Sequence, residues 1–150
     1  MPADRTVMRR LFSTLGCALV LGLPAVAVAE CTLNVVNVSF GSYDIFSALD
    51  SQITGSVNVT CDVESNLQVS VSTGLGSYSA RQMASGANAL YYNLFMDPTH
   101  LTIWGDGSPG TGFLALSGMG GNFPVYGRIP AGQNVPVGAY GDTLIVTLTF

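Results

Sequence analysis

Few side chains in this chain have the means to carry out covalent or acid–base chemistry. His100 is the only histidine and follows Asp97-Pro98-Thr99 in a stretch that reads as a loop. An imidazole in that setting is ordinarily solvated, and catalysis by it would need a nucleophile and an orienting partner that no motif supplies. Neither a Gly-x-Ser-x-Gly elbow nor a zinc-ligand spacing occurs. Asp106-Gly107 lies within Trp104-Gly105-Asp106-Gly107-Ser108-Pro109-Gly110. That segment lacks the alternating oxygen ligands of a calcium loop and reads as a tight turn. Thiol chemistry is what remains, from Cys17, Cys31 and Cys61. The expectation is therefore a protein that is not an enzyme and has no cofactor and no metal.

The compartment decides what the thiols do. Arg5, Arg9 and Arg10 precede an apolar run over residues 11–28 that closes in small residues, Ala25-Val26-Ala27-Val28-Ala29. A charged, then apolar, then small-residue order is that of a secretory signal peptide, so residues 1–29 are read as the signal and residues 30–150 as the mature domain. Gly16, Gly22 and Pro24 interrupt the run, which leaves it marginal for crossing a bilayer, and no stable membrane span is expected after cleavage. Arg9-Arg10 is only a partial twin-arginine signal, and Cys17 only a weak lipoprotein candidate because Thr14 fits poorly before it. Cleavage removes Cys17 and leaves Cys31 and Cys61 in an oxidising compartment, where they are expected to form a disulfide. Two cysteines and one distant histidine do not fill a tetrahedral zinc shell.

The charge pattern excludes other partners. The chain has 150 residues, 48% apolar and 9% charged, and no lysine, so it has room for one ordinary domain. From Glu30 onward two arginines, Arg81 and Arg128, face eight carboxylates, a net charge of −6 with His100 neutral. Displacing counterions from nucleic-acid phosphates takes clustered Lys and Arg, and an anionic membrane surface asks for the same. Neither is expected as a partner.

The elements that would position these residues are strands. Ile53, Gly55, Val57, Val59, Cys61 and Val63 alternate with Thr54, Ser56, Asn58, Thr60 and Asp62, which is the period of a half-buried strand. Leu67, Val69 and Val71 repeat it, as do Leu144, Val146, Leu148 and Phe150. Residues 33–40, 90–96, 113–116 and 123–129 are further candidates. Turns are expected at 74–76, 105–112, 118–122 and 130–141, where Gly and Pro gather. About seven short strands without convincing helical periodicity predict an all-β antiparallel sandwich around one core. Phe150 ends an alternating strand with no successor in this sequence, so an edge there would be open to a strand from another chain.

A resemblance joins these features. It is carried by Cys31, by Phe40-Gly41-Ser42-Tyr43-Asp44, by Cys61, by Arg81-Gln82-Met83, and by Leu90-Tyr91-Tyr92-Asn93-Leu94-Phe95. It continues through Trp104-Gly105-Asp106-Gly107, Val125-Tyr126-Gly127-Arg128-Ile129-Pro130 and Gly138-Ala139-Tyr140-Gly141-Asp142-Thr143. In order and spacing these blocks resemble the spore coat protein U domain, a family that includes archaic chaperone-usher pilins of Gram-negative bacteria.

The resemblance implies an immunoglobulin-like sandwich that lacks its final strand. A periplasmic pilus chaperone completes such a sandwich first, and after passage through an outer-membrane usher a neighbouring pilin subunit does. It implies that Cys31 and Cys61 join the first two strands, and that Leu144, Val146, Leu148 and Phe150 border the acceptor groove for chaperone or donor strand. Fibre subunits of that family carry a donor extension before the first cysteine. With cleavage after Ala29 only Glu30 would precede Cys31 here, too short to span a groove at about 3.3 Å per residue. The expectation is an exported structural subunit of an adhesive surface fibre, of the tip type. A secreted spore-coat or matrix protein not assembled by an usher is the alternative, and a carbohydrate-binding or enzymatic sandwich is the third.

Overall fold

In the computed structural model, which describes residues 29–150, every regular element is a strand. They are β1 (Cys31–Val36), β2 (Ser51–Val71), β3 (Leu75–Ser77), β4 (Ala80–Ser85), β5 (Asn88–Phe95), β6 (Ile103–Trp104), β7 (Thr111–Gly112), β8 (Leu114–Ile129) and β9 (Val146–Thr149). The sheet order is β1-β2-β8-β5-β4-β3, with β6 on β5, β7 on β6, and β9 on β2. All pairs are antiparallel except the two-residue β6–β7 pair. Leu33 of β1 and Met83 of β4 come from opposite ends of this order yet pack against one core cluster, so the sheet folds over into a sandwich. The all-β antiparallel class expected from the alternation is thus the class observed. The signal segment 1–28 lies outside the described residues.

Two long strands carry the rest. β2 buries Val57, Val59 and Cys61, then Leu67, Val69 and Val71, while Asn58, Thr60 and Gln68 face solvent. The two strands expected at 53–63 and 67–71 are one strand with a bulge: Thr60 pairs with Gly120 and Ser65 with Gly118. Four residues of β2 there lie opposite Met119 alone, so β2 keeps its odd positions buried on both sides of the bulge while the inward parity of β8 changes between Leu114 and Val125. Val63, expected inside, is in consequence 38% exposed. The turn expected at 118–122 is likewise absent, and β8 runs straight through it. Gly120 has φ +116, and a Cβ on it would run into the Val59 carbonyl. The glycines there permit close approach of two backbones rather than a reversal of the chain.

Other differences have local causes. β4 escaped the periodicity because its Arg81 is fully buried. Of residues 74–76, expected as a turn, Leu75 and Gly76 belong to the short β3, with Gly74 and Gly76 at positive φ. β1 stops at Val36 because the chain then rises over the sheet at two glycines. A Cβ on Gly55 would meet Val38 Cγ2 at 2.8 Å, and one on Gly127 would meet Phe40 Cζ at 2.7 Å.

Two polar features pin the core. Trp104 Nε1 donates to the Val69 carbonyl at 3.0 Å. Arg81 donates to Asn93 Oδ1 at 2.7 Å and to the carbonyls of Ser72 and Trp104 at 3.0 and 2.8 Å, with Tyr78 against its guanidinium at 5.2 Å. Burial lowers its pKa, and these acceptors are what keep the cation tolerable inside.

Cys31 and Cys61 stand directly opposite in the β1–β2 ladder and are joined, S–S 2.06 Å. Closing a loop over a separation of 30 residues stabilises the folded state by roughly 3 to 4 kcal/mol in the chain-entropy model. The double variant Cys31→Ala/Cys61→Ala is expected to lose about that amount in denaturant unfolding, and an unchanged midpoint would contradict it.

Candidate functional site

A groove lies over one side of the apolar core, whose side chains stay buried beneath it. Residues 37–46, which follow β1, form one wall of the groove, and residues 135–144, which lead into β9, form the other. Its floor consists of core side chains, among them Val57, Leu90, Leu94, Trp104, Val125 and Ile129. The volume is about 1020 Å³, at the upper end for sites that take a compact small ligand. Its apolar floor and strand-bearing border suit backbone with alternating apolar side chains.

The border next to β9 is built from the alternation noted in the sequence. β9 pairs Val146, Thr147, Leu148 and Thr149 with Val71, Ser70, Val69 and Gln68 of β2, and among the described residues no strand pairs with its other edge. Leu144, Val146 and Leu148 turn inward onto the core. Of the four residues assigned to the groove, Leu144 and Val146 line it. Leu148 packs on the core beyond it, and Phe150 is 54% exposed. Residues 37–46 and 135–140 were not singled out by sequence as walls. The apolar alternation Val38, Phe40 was visible but pointed to a longer β1.

Hydrogen bonds hold the second wall. Tyr92 on β5 donates its hydroxyl to Asp142 Oδ2 at 2.7 Å, while the N–H groups of Leu75 and Thr143 donate to Asp142 Oδ1 at 3.0 and 2.8 Å. Burial, and then the Asp142 carboxylate, push the Tyr92 phenol well above its ordinary pKa, so it stays a donor. Ala84 and Gly141 exchange backbone bonds at 2.9 and 3.1 Å. Gln133 accepts from Tyr91 N and donates to Tyr91 O, both at 2.8 Å, so its amide stands in for a strand beside β5. Tyr43 ties the first wall across by donating to the Pro130 carbonyl and accepting from Gln133 N, each at 2.9 Å.

The residues weighed for catalysis lie elsewhere. His100 sits in the loop after β5, its ring edge-on to Phe95 at 5.0 Å, with no carboxylate or nucleophile bonded to it among the described residues. Asp97 shapes that loop by accepting from Thr99, Leu101 and Thr102. Asp106 accepts from Ser108 N at 3.0 Å in a tight turn. Among the described residues no group of His, Cys, Asp and Glu could hold a metal.

Residues 17–147 match the family model of the Spore Coat Protein U domain. This chain belongs to that family. Within the Spore Coat Protein U domain family, Protein U of Myxococcus xanthus is 42% identical over 128 residues, covering 75% of this chain and 70% of that relative. One chain in the crystal structure of the CsuC–CsuE chaperone–tip adhesion subunit pre-assembly complex, from archaic chaperone-usher Csu pili of Acinetobacter baumannii, has the same fold. The TM-score is 0.61 at 21% identity over 82% of this chain, which spans 40% of that one.

Two measurements test the site's construction. Tyr92→Phe removes one charged hydrogen bond from the second wall and is expected to cost about 1.5 to 3 kcal/mol in denaturant unfolding; no loss would show that Tyr92 does not hold Asp142. Bonds from the Thr99 side chain and then the Thr102 N–H lower the Asp97 pKa from 3.8 to about 2. Since the folded value lies below the unfolded one, the loop's stabilisation is complete above about pH 4 and lost as pH falls through about 2. The Thr102 amide resonance should titrate in that window and not in Asp97→Asn.

Proposed function

We propose that this chain is an exported structural subunit of a chaperone-usher surface fibre, acting through β-strand complementation and without catalysis. The observation that carries the reading is the groove, where core side chains form the floor and the free edge of β9 forms the border. An extended segment laid there would pair with β9 and bury its alternate apolar side chains among Leu144, Val146 and the floor residues. A periplasmic chaperone in transit, and then a neighbouring subunit delivered through an outer-membrane usher, would supply that segment. The fold shared with a chain of a chaperone–tip adhesion subunit complex supports the same partners.

Export follows from residues 1–29 acting as the signal. With cleavage after Ala29, β1 starts one residue later: Glu30 N donates to Asp62 Oδ1 at 2.8 Å and Cys31 pairs with Cys61. That end is committed to β2, which favours a tip position. The second reading, a secreted spore-coat or matrix protein that meets no usher, draws on the description of the family itself.

The test is the exported protein without partners. Its unfolding free energy is expected to be low and to rise on addition of an extended peptide with alternating apolar residues, by about 2.7 kcal/mol at a hundredfold excess over Kd. Val146→Asp should abolish that rise. A monomer with full cooperative stability and no response to peptide or chaperone would leave the coat-protein reading. N-terminal sequencing of the same preparation should begin at Glu30; a start near Ala18 would supply a donor segment and remove the tip assignment.

A further inference from the structure

The outer face of β5 and β8 carries a second concavity, of about 410 Å³. Arg128 of β8, Tyr91 and Phe95 of β5, and His100 and Leu101 of the following loop all line it. None of these five lines the groove.

Charge singles this cavity out. Arg81 and Arg128 are the only basic residues from position 29 onward, and Arg81 is fully buried. Arg128, with 37% of its side chain exposed, is therefore the one arginine solvent reaches among the described residues. Its Nε stands 3.6 Å from Asp50 Oδ2, and its guanidinium carbon lies 5.4 Å from the centre of the Phe95 ring. The Asp50 carboxylate and the Phe95 ring flank the guanidinium, while among the described residues no acceptor hydrogen-bonds to its two terminal nitrogens. A guanidinium held in this way offers a planar fork that matches a carboxylate.

The loop that lines the cavity with Arg128 is held under strain. His100 has φ +57, the only positive value for a non-glycine among the described residues, and the Asp97 hydrogen bonds enforce the turn that contains it. Such strain persists where the surroundings impose it, and it gathers at ligand sites. Neither imidazole nitrogen has a protein partner among the described residues. Tyr91 is 47% exposed and Leu101 82% exposed, so aromatic and aliphatic surface lies next to the fork.

We propose that this cavity binds the ring of a hexuronic acid. Its carboxylate would lie on Arg128, one face of the sugar on Tyr91, and a hydroxyl on His100. A bare carboxylate would satisfy the fork and leave the Tyr91 surface without a partner. A neutral sugar would do the reverse. A carboxylated sugar satisfies both and fits the volume.

The test is a titration of the exported full chain, isotopically labelled and with its dispersed spectrum confirming the fold, with glucuronate and galacturonate. Glucose, acetate and a glutamyl peptide serve as comparison probes. Saturable shifts at Tyr91, His100 and Arg128 are expected for at least one uronate, with each comparison probe roughly tenfold weaker or more. Arg128→Gln and Tyr91→Ala should each weaken uronate by a similar factor with unchanged unfolding midpoints, whereas Asp50→Asn should keep or tighten binding. No saturable shift with either uronate, equal binding of glucose, acetate or peptide, or unchanged affinity in Arg128→Gln would each overturn the proposal. Repeating the titration with the donor peptide present separates this site from the groove, because the two share none of the residues tested.

Discussion

A β-sandwich keeps its interior dry only where backbone covers it, and backbone stays buried only where its N–H and C=O groups are paired. The β2–β8 ladder meets both demands on either side of its bulge between Thr60 and Ser65 and organises the rest. β1 and β9 occupy successive stretches of the free side of β2, and β5 continues the sheet from β8. Between residues 37–46 and 135–144 neither wall belongs to the ladder, and the core side chains of the groove floor stay buried, Trp104 at 2% and Ile129 at 1% exposed.

The walls are built differently from the strands they border. The first is placed by shape: Val38 and Phe40 need the missing side chains of Gly55 and Gly127 beneath them. The second is placed by polar bonds, from Asp142 to Tyr92 and from Gly141 to Ala84. Shape complementarity and a few charged hydrogen bonds give walls that need not collapse into an empty groove, since each is fixed from behind. The buried Arg81 serves the same end by joining the carbonyls of Ser72 and Trp104 beneath β9 and the groove floor.

Much of this was legible in the alternation of side chains, because half-buried strands impose a period of two. The inward faces of β2 and the turning of Leu144, Val146 and Leu148 to one side followed from it directly. What escaped depends on contacts distant in sequence. Glycines at 118 and 120 look like a turn until Val59 is seen lying against Gly120, and a buried arginine disguises β4 as a polar segment. The groove was half legible. Its β9 border carries the period of a strand, whereas residues 135–140 carry none and are held by Tyr43, Gln133 and Gly141, whose partners lie as many as ninety positions away.

The amide of Gln133 engages both backbone groups of Tyr91, and a side chain that imitates a strand for one residue cannot hand the pattern on to a next one. Sheet growth over that part of β5 therefore terminates. The outer edge of β9, which no strand pairs among the described residues, has no such stop.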